Sequence, residues 1–187
     1  MEKNIKNMTL EELEDLSYHD ISVKKLQNQC NPFSAWMEID SEIQKEEVLK
    51  CLEQGLEEVV NTPLALDAYF DTGKPLDPLE ARHNHIKKIA YFVKHGFDNP
   101  IDLDVGVPSM GCYPDHLIED GNHRFAAAII RGEKTIKATI IGEGEYAKEL
   151  GLWKPNKYLK ELVKRYDQDI EDVGATFDEK PHNRPKI

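Results

Sequence analysis

Five consecutive residues, Asp120-Gly121-Asn122-His123-Arg124, carry most of the chemistry that this sequence offers. Glycine lets the backbone approach a ligand closely, and amide N–H groups at the start of a helix attract an anion. Arg124 can grip a phosphate through two parallel hydrogen bonds, and His123 can donate a hydrogen bond or move a proton near neutral pH. Asp120 can hold a metal ion or orient a nucleophile. The group is therefore expected to bind phosphate, with Asp120, His123 and Arg124 as catalytic candidates and Gly121, Asn122, His123 and Arg124 as the cradle. The same residues also read as an ordinary strand–helix connection, with Asp120 or Asn122 as N-cap and Gly121 permitting the turn.

The elements that must position these residues are marked on both sides. Residues 116–119 read as a short strand, 124–131 as an Ala-rich helix closed by Gly132, and 135–141 as an alternating, β-branched strand. Upstream, residues 78–95 form a strong helical pattern with Leu79, Ile86, Ile89, Ala90 and Val93 inward and Gly96 as its stop. Arg82 and His85 share one face of that helix. A strand follows within 97–105, then a loop over 106–115. Downstream, 143–152 and 156–166 read as helices.

The N-terminal half is less specific. Thr9 and Glu12 make a capping-box pattern before Leu10, Leu13 and Leu16 at helical spacing. Residues 21–26 read as a first strand, and Phe33 and Trp36 as core aromatics. Ile43, Val48, Leu49, Leu52, Leu56, Val59 and Val60 form an apolar stripe that predicts a helix over 39–61, bent or divided at Gly55. A short helix over 63–70 and a turn over 71–75 complete this half.

The string D-G-N-H-R-F-A-A-A, followed by a glycine and a strand, resembles the signature of the ParB/sulfiredoxin superfamily. The resemblance covers about residues 79–142 and, more faintly, 20–36. It implies an α+β fold: a small mixed sheet with surrounding helices, here with an inserted acidic helical region at about 39–70. One such domain would span 1–166, leaving 167–187 as a flexible acidic and Pro-containing tail. The resemblance further implies that the helix before the Pro100-Ile101 strand lies near a nucleotide, which makes Arg82 and His85 candidate contacts to its phosphates. In sulfiredoxin-like members the attacking cysteine stands where this chain has Asn122, and Cys112 does not occupy the matching place, so peroxiredoxin repair is not expected. The D-G-x-H-R form is similar to relatives that bind or use nucleotides, including free-serine kinases, and to the D-G-Q-H-R turn of DNA-modification regulators.

Composition sets the outer bounds. The chain has 187 residues, enough for one well-buried domain with an elaboration. No apolar run approaches the roughly 18 residues that cross a bilayer, and the first residues carry no apolar signal-peptide core. Three cysteines, Cys30, Cys51 and Cys112, are far apart and odd in number, as expected of reduced thiols in a cytoplasmic protein. A formal charge of −11, from 35 acids against 24 bases, disfavours direct DNA binding outside a local basic stripe. Short basic candidates lie at 83–88 and 154–165. His83, His85, His116 and His123 invite a transition-metal reading, but no paired ligand spacing supports it. A nucleotide-borne Mg²⁺ resting on Asp120, with Glu119 and Asp104 as further acids, fits better. The aromatic and basic run Trp153-Lys154-Pro155-Asn156-Lys157-Tyr158 suits either a helix start or base stacking.

Together these readings predict a protein that binds ATP or another nucleotide and carries out Mg²⁺-dependent phosphoryl transfer or NTP hydrolysis, its acceptor unspecified. The alternative is a non-enzymatic ParB-like module, such as a phage or plasmid accessory factor, acting on a protein partner or DNA. A ParB-like nuclease would require a basic groove that the sequence does not display.

Overall fold

The computed structural model describes residues 18–59 and 77–152, which fall within one compact unit, Tyr18–Lys154. The expected helices at the N-terminus, over 63–70 and over 156–166, the Trp153–Tyr158 motif and the tail lie outside the described residues.

A four-stranded mixed sheet forms one layer. Its strands are β1 (His19–Ser22), β2 (Ile101–Asp104), β3 (Ile118–Asp120) and β4 (Thr135–Ile141), in the order β1-β4-β2-β3. β4 lies antiparallel to β1, with Ile21 opposite Ile136, and parallel to β2, with Leu103 opposite Ile140. β3 returns antiparallel along β2, and a register shift there leaves Glu119 unpaired between Ile118 and Asp120. Alternation sends Ile21, Ile101, Leu103, Ile118, Ile136 and Ala138 into one core with Leu26 and Phe125. The α+β class is as expected, and β4 spans the residues that its alternation predicts.

The helices are α1 (Val23–Gln27), α2 (Lys45–Glu53), α3 (Pro78–His95), α4 (Asn122–Arg131) and α5 (Gly144–Glu149). α4 separates two cores. Its Phe125 and Ala128 face the sheet, whereas Ala126 and Ala127 pack with Ile86, Ile89 and Ala90 of α3 and with Val48 and Cys51 of α2. A helix buried on two sides needs small side chains, which explains the alanine run. α3 and α4 run parallel: His85 meets His123 and the Val93 carbonyl meets Arg131, the same separation of 38 residues at both ends.

Four expectations are corrected. The first strand stops at Ser22, whose side chain caps α1, so Val23 to Gln27 are helical instead of extended. The long helix predicted from residue 39 is confined to Lys45–Glu53. Gln44 is its N-cap, and Gly55 lies past its end at φ 65°. Leu79, expected inward, is 68% exposed on the first turn of α3, while Ile86, Ile89 and Ala90 are buried. Neither Asp120 nor Asn122 caps α4: Gly121 holds the N-cap position at φ 103°, and no side chain caps the helix. Gly132 and Gly96 do close α4 and α3.

No described helix is long and apolar enough to cross a membrane. Cys30, Cys51 and Cys112 are all unpaired, and burial pushes the Cys30 thiol up to about 11.

Candidate functional site

The strand, turn and helix of Ile118–Arg131 bring the five-residue group to the start of α4. Gly121 is required there for two reasons. Its φ of 103° suits glycine, and a Cβ would sit 2.8 Å from the Cβ of Ile101. The tight turn is thus pressed against the beginning of β2. Arg124 secures it: Nη2 donates to the Pro100 carbonyl at 2.9 Å and to Asp120 Oδ2 at 2.8 Å. Its Nε is buried without a partner among the described residues.

With no side-chain cap, the first-turn N–H groups of Asn122, His123 and Arg124 keep their partial positive charge unanswered. By contrast, Ser22 caps α1 and Asp77 caps α3. Lys88 of α3 stands close enough to His123 and His85 to disfavour a proton on either ring. It has no hydrogen bond or ion pair among the described residues. An uncapped helix start, an ammonium without a partner among the described residues and a guanidinium therefore lie near His123 in a strongly acidic chain.

His123 also faces inward, where a second arrangement appears. Its Nε2 lies 2.8 Å from Nδ1 of His85, and Nε2 of His85 lies 2.9 Å from Oε1 of Glu38. A carboxylate oxygen only accepts, so His85 donates from Nε2 to Glu38; a neutral His85 then accepts at Nδ1 from His123 Nε2–H. This network assigns the lone pair of His123 to Nδ1. Trp36 covers both rings, stacking on His85 with centroids 4.3 Å apart and lying tilted against His123 at 4.8 Å. His85 is only 2% exposed. Burial, then Lys88, His85 and Arg124, drive His123 down to about 2, so its ring is neutral at physiological pH. Burial also lowers His85, against the pull of Glu38 in the opposite direction.

The sequence-predicted residues do not all converge. Asp120 is on the turn, but its side chain is 70% exposed and one oxygen is engaged by Arg124. Arg82 shares the helix with His85 yet points elsewhere. Its guanidinium is spent on both carboxylate oxygens of Glu47 and on the carbonyls of Ser41 and Glu42. That bidentate grip holds the Glu47 carboxyl below its usual range in spite of the burial that opposes it. Arg82 thus fixes the segment leading into α2, on which Glu38 stands. Of the four histidines considered together, only His85 and His123 meet; His83 and His116 are exposed.

No group of three or more His, Cys, Asp or Glu side chains among the described residues could hold a metal ion. Among the described residues the turn offers one uncommitted carboxylate oxygen, Oδ1 of Asp120, which would suit an ion held mainly by a ligand's own phosphates. Glu38 and Trp36 carry no local motif that marks them as site residues, and Lys88 is marked only as the end of the short basic stretch 83–88. The first two sit in an irregular segment, and Glu38 is 47 residues from its partner.

Comparison of the chain with protein-family models, curated proteins and solved structures finds no match.

Proposed function

We propose that this chain is a ParB/sulfiredoxin-like nucleotide-binding protein that transfers or hydrolyses the terminal phosphoryl group of ATP or another nucleotide. One observation carries the reading: the uncapped first turn of α4, bearing His123 and Arg124, with Lys88 beside it and without an ion pair among the described residues. Helix-start N–H groups and a lysine ammonium are the chemistry that a polyphosphate selects. Arg124 holds the turn against Pro100 and adds a fixed positive charge beside His123. Mg²⁺ bound to the phosphates and to Asp120 would neutralise charge on the transferred group. With little covalent work to do, the protein contributes positioning and electrostatics.

Calorimetry with ATP, ADP, CTP and GTP in the presence of Mg²⁺ tests this reading. Micromolar binding is expected, weakened about tenfold or more by Lys88→Ala, about 1.4 kcal/mol or more, with no change in thermal midpoint. Lys88→Ala is the sharper variant because Arg124 also holds the turn together. Failure of every nucleotide to bind the folded protein would overturn the proposal.

The second reading, a non-enzymatic ParB-like module, draws on the exposed acids Asp40, Glu42, Glu46 and Glu53 near α2. Such a surface suits a basic protein partner better than DNA. Nucleotide binding without turnover would favour it.

A further inference from the structure

The line Glu38–His85–His123 is more than a capped buried pair. Three polar groups lie end to end, with hydrogen bonds of 2.9 and 2.8 Å. The Trp36 ring lies against both imidazoles, stacked on His85 and tilted to His123. The line runs from a carboxylate on the segment before α2, through α3, to the second residue of α4. Its outer member stands on the turn already assigned to phosphate. Burying such a line is costly unless its groups are satisfied, and here the hydrogen bonds engage Oε1 of Glu38, both nitrogens of His85 and Nε2 of His123, which leaves Nδ1 of His123 without a hydrogen bond among the described residues.

We propose that Glu38, His85 and His123 form a proton relay whose outer end, Nδ1 of His123, takes the proton of a hydroxyl or water that attacks the bound terminal phosphoryl group. This inference rests on the nucleotide reading of the α4 turn and names the acceptor class that the reading leaves open. As the acceptor oxygen bonds to phosphorus, the bond from phosphorus to the bridging oxygen breaks and its electron pair leaves with the nucleoside diphosphate. The acceptor's proton passes to Nδ1 of His123, and the proton on Nε2 of His123 passes to Nδ1 of His85. His123 ends neutral in its other tautomer, and His85 ends as an imidazolium against the Glu38 carboxylate. The proton returns to water after the products leave.

The surrounding charges favour this direction. Lys88 of α3 and Arg124 of α4 both oppose a positive charge on His123. Glu38, on the segment before α2, favours one on His85. Lys88 opposes a proton on either ring, but only His85 has a carboxylate to receive one and only His123 also faces Arg124, so a proton taken at the turn is better held one ring inward. His123 is the catalytic residue of the three; His85 and Glu38 are positioning residues that act through it.

Glu38→Gln tests the relay because the amide oxygen still accepts from His85 while the charge is lost. The expected result is a fall in kcat of about 10²-fold, with nucleotide affinity, KM and thermal midpoint unchanged. The acid limb of the pH–rate profile should move to lower pH, because His85 loses the carboxylate that favours its protonation. Nitrogen-15 spectra of the histidine rings should show His123 protonated at Nε2 and bare at Nδ1 in the resting protein. Wild-type kcat in Glu38→Gln, or a proton resting on Nδ1 of His123, would overturn the relay. So would nucleotide binding without turnover in the wild type. Failure to bind any nucleotide would instead overturn the reading beneath it, and calorimetry shows that before any variant is made.

Discussion

His123 illustrates how one side chain can be tuned from two directions. Burial and neighbouring cations strip its tendency to hold a proton, while its hydrogen bond to His85 fixes which nitrogen stays bare. The same tuning has a cost in stability. In the unfolded chain the imidazole takes a proton below its ordinary value of 6.5, whereas the folded chain refuses it down to about 2. The unfolded state therefore binds more protons throughout that window. Stability should be complete above about pH 7 and fall on acidification by up to about 1.4 kcal/mol per pH unit for this residue. Urea unfolding at pH 7.5 and 5.5 should show that fall, and His123→Asn should reduce it, leaving the share of the other lowered imidazoles, His85 and His19; the carboxylates with lowered values titrate in a more acidic range. A second outcome belongs to Gly121. Its positive φ and its contact with Ile101 predict that Gly121→Ala loses roughly 1–3 kcal/mol from backbone strain with overpacking added, read as a lower urea midpoint.

At the scale of elements, the site depends on how closely α3 and α4 approach. Ala126 and Ala127 on one helix and Ala90 on the other leave room for the two imidazoles to meet. Ala126→Leu should force the helices apart, cost about 1–3 kcal/mol and break the His85–His123 hydrogen bond, visible in the histidine nitrogen spectra. Arg82 performs the matching task for the segment that carries Glu38. Arg82→Ala removes a bidentate grip on Glu47 and bonds to two carbonyls. Because Glu47 is partly exposed, the expected loss is modest, about 1–2 kcal/mol. Arg82→Lys should recover little of it, since a lysine cannot reproduce the fork. Nucleotide affinity should change far less than it does in Lys88→Ala, which separates a positioning arginine from a phosphate ligand.

For the whole molecule the governing fact is the charge of −11. A chain this acidic repels a nucleic acid on average, so on the proposed reading the cations near the α4 turn act locally on a small anion. Duplex DNA should show no measurable binding in low salt. If binding appears and falls steeply with added salt, several phosphates are being neutralised and the nucleic-acid reading regains its place.

Much of the framework was legible in the residues themselves. The alternation of Thr135–Ile141, the glycines at 96 and 132 and the apolar periodicity of Pro78–His95 each report a local preference, and each element forms where that preference is strong. The Asp120–Arg124 turn was recognisable for the same reason: glycine, a polar cluster and an alanine run follow one another within a few residues. Weak local signals failed. The apolar stripe beginning at residue 39 suggested a long helix, but residues before Lys45 are irregular and Gly55 ends the run. Arg82 and His85 shared a helical face by spacing, yet three residues of helix turn them toward different neighbours, Glu47 and His123. What the sequence by itself determined is therefore β4, the helices α3 and α4 with their glycine stops, and the polar turn at the start of α4. Only the tertiary structure decided that Glu38 and Trp36 join His85 and His123. Those residues come from three separate elements, and nothing in local propensity encodes which buried donor will meet which acceptor once helices and loops pack.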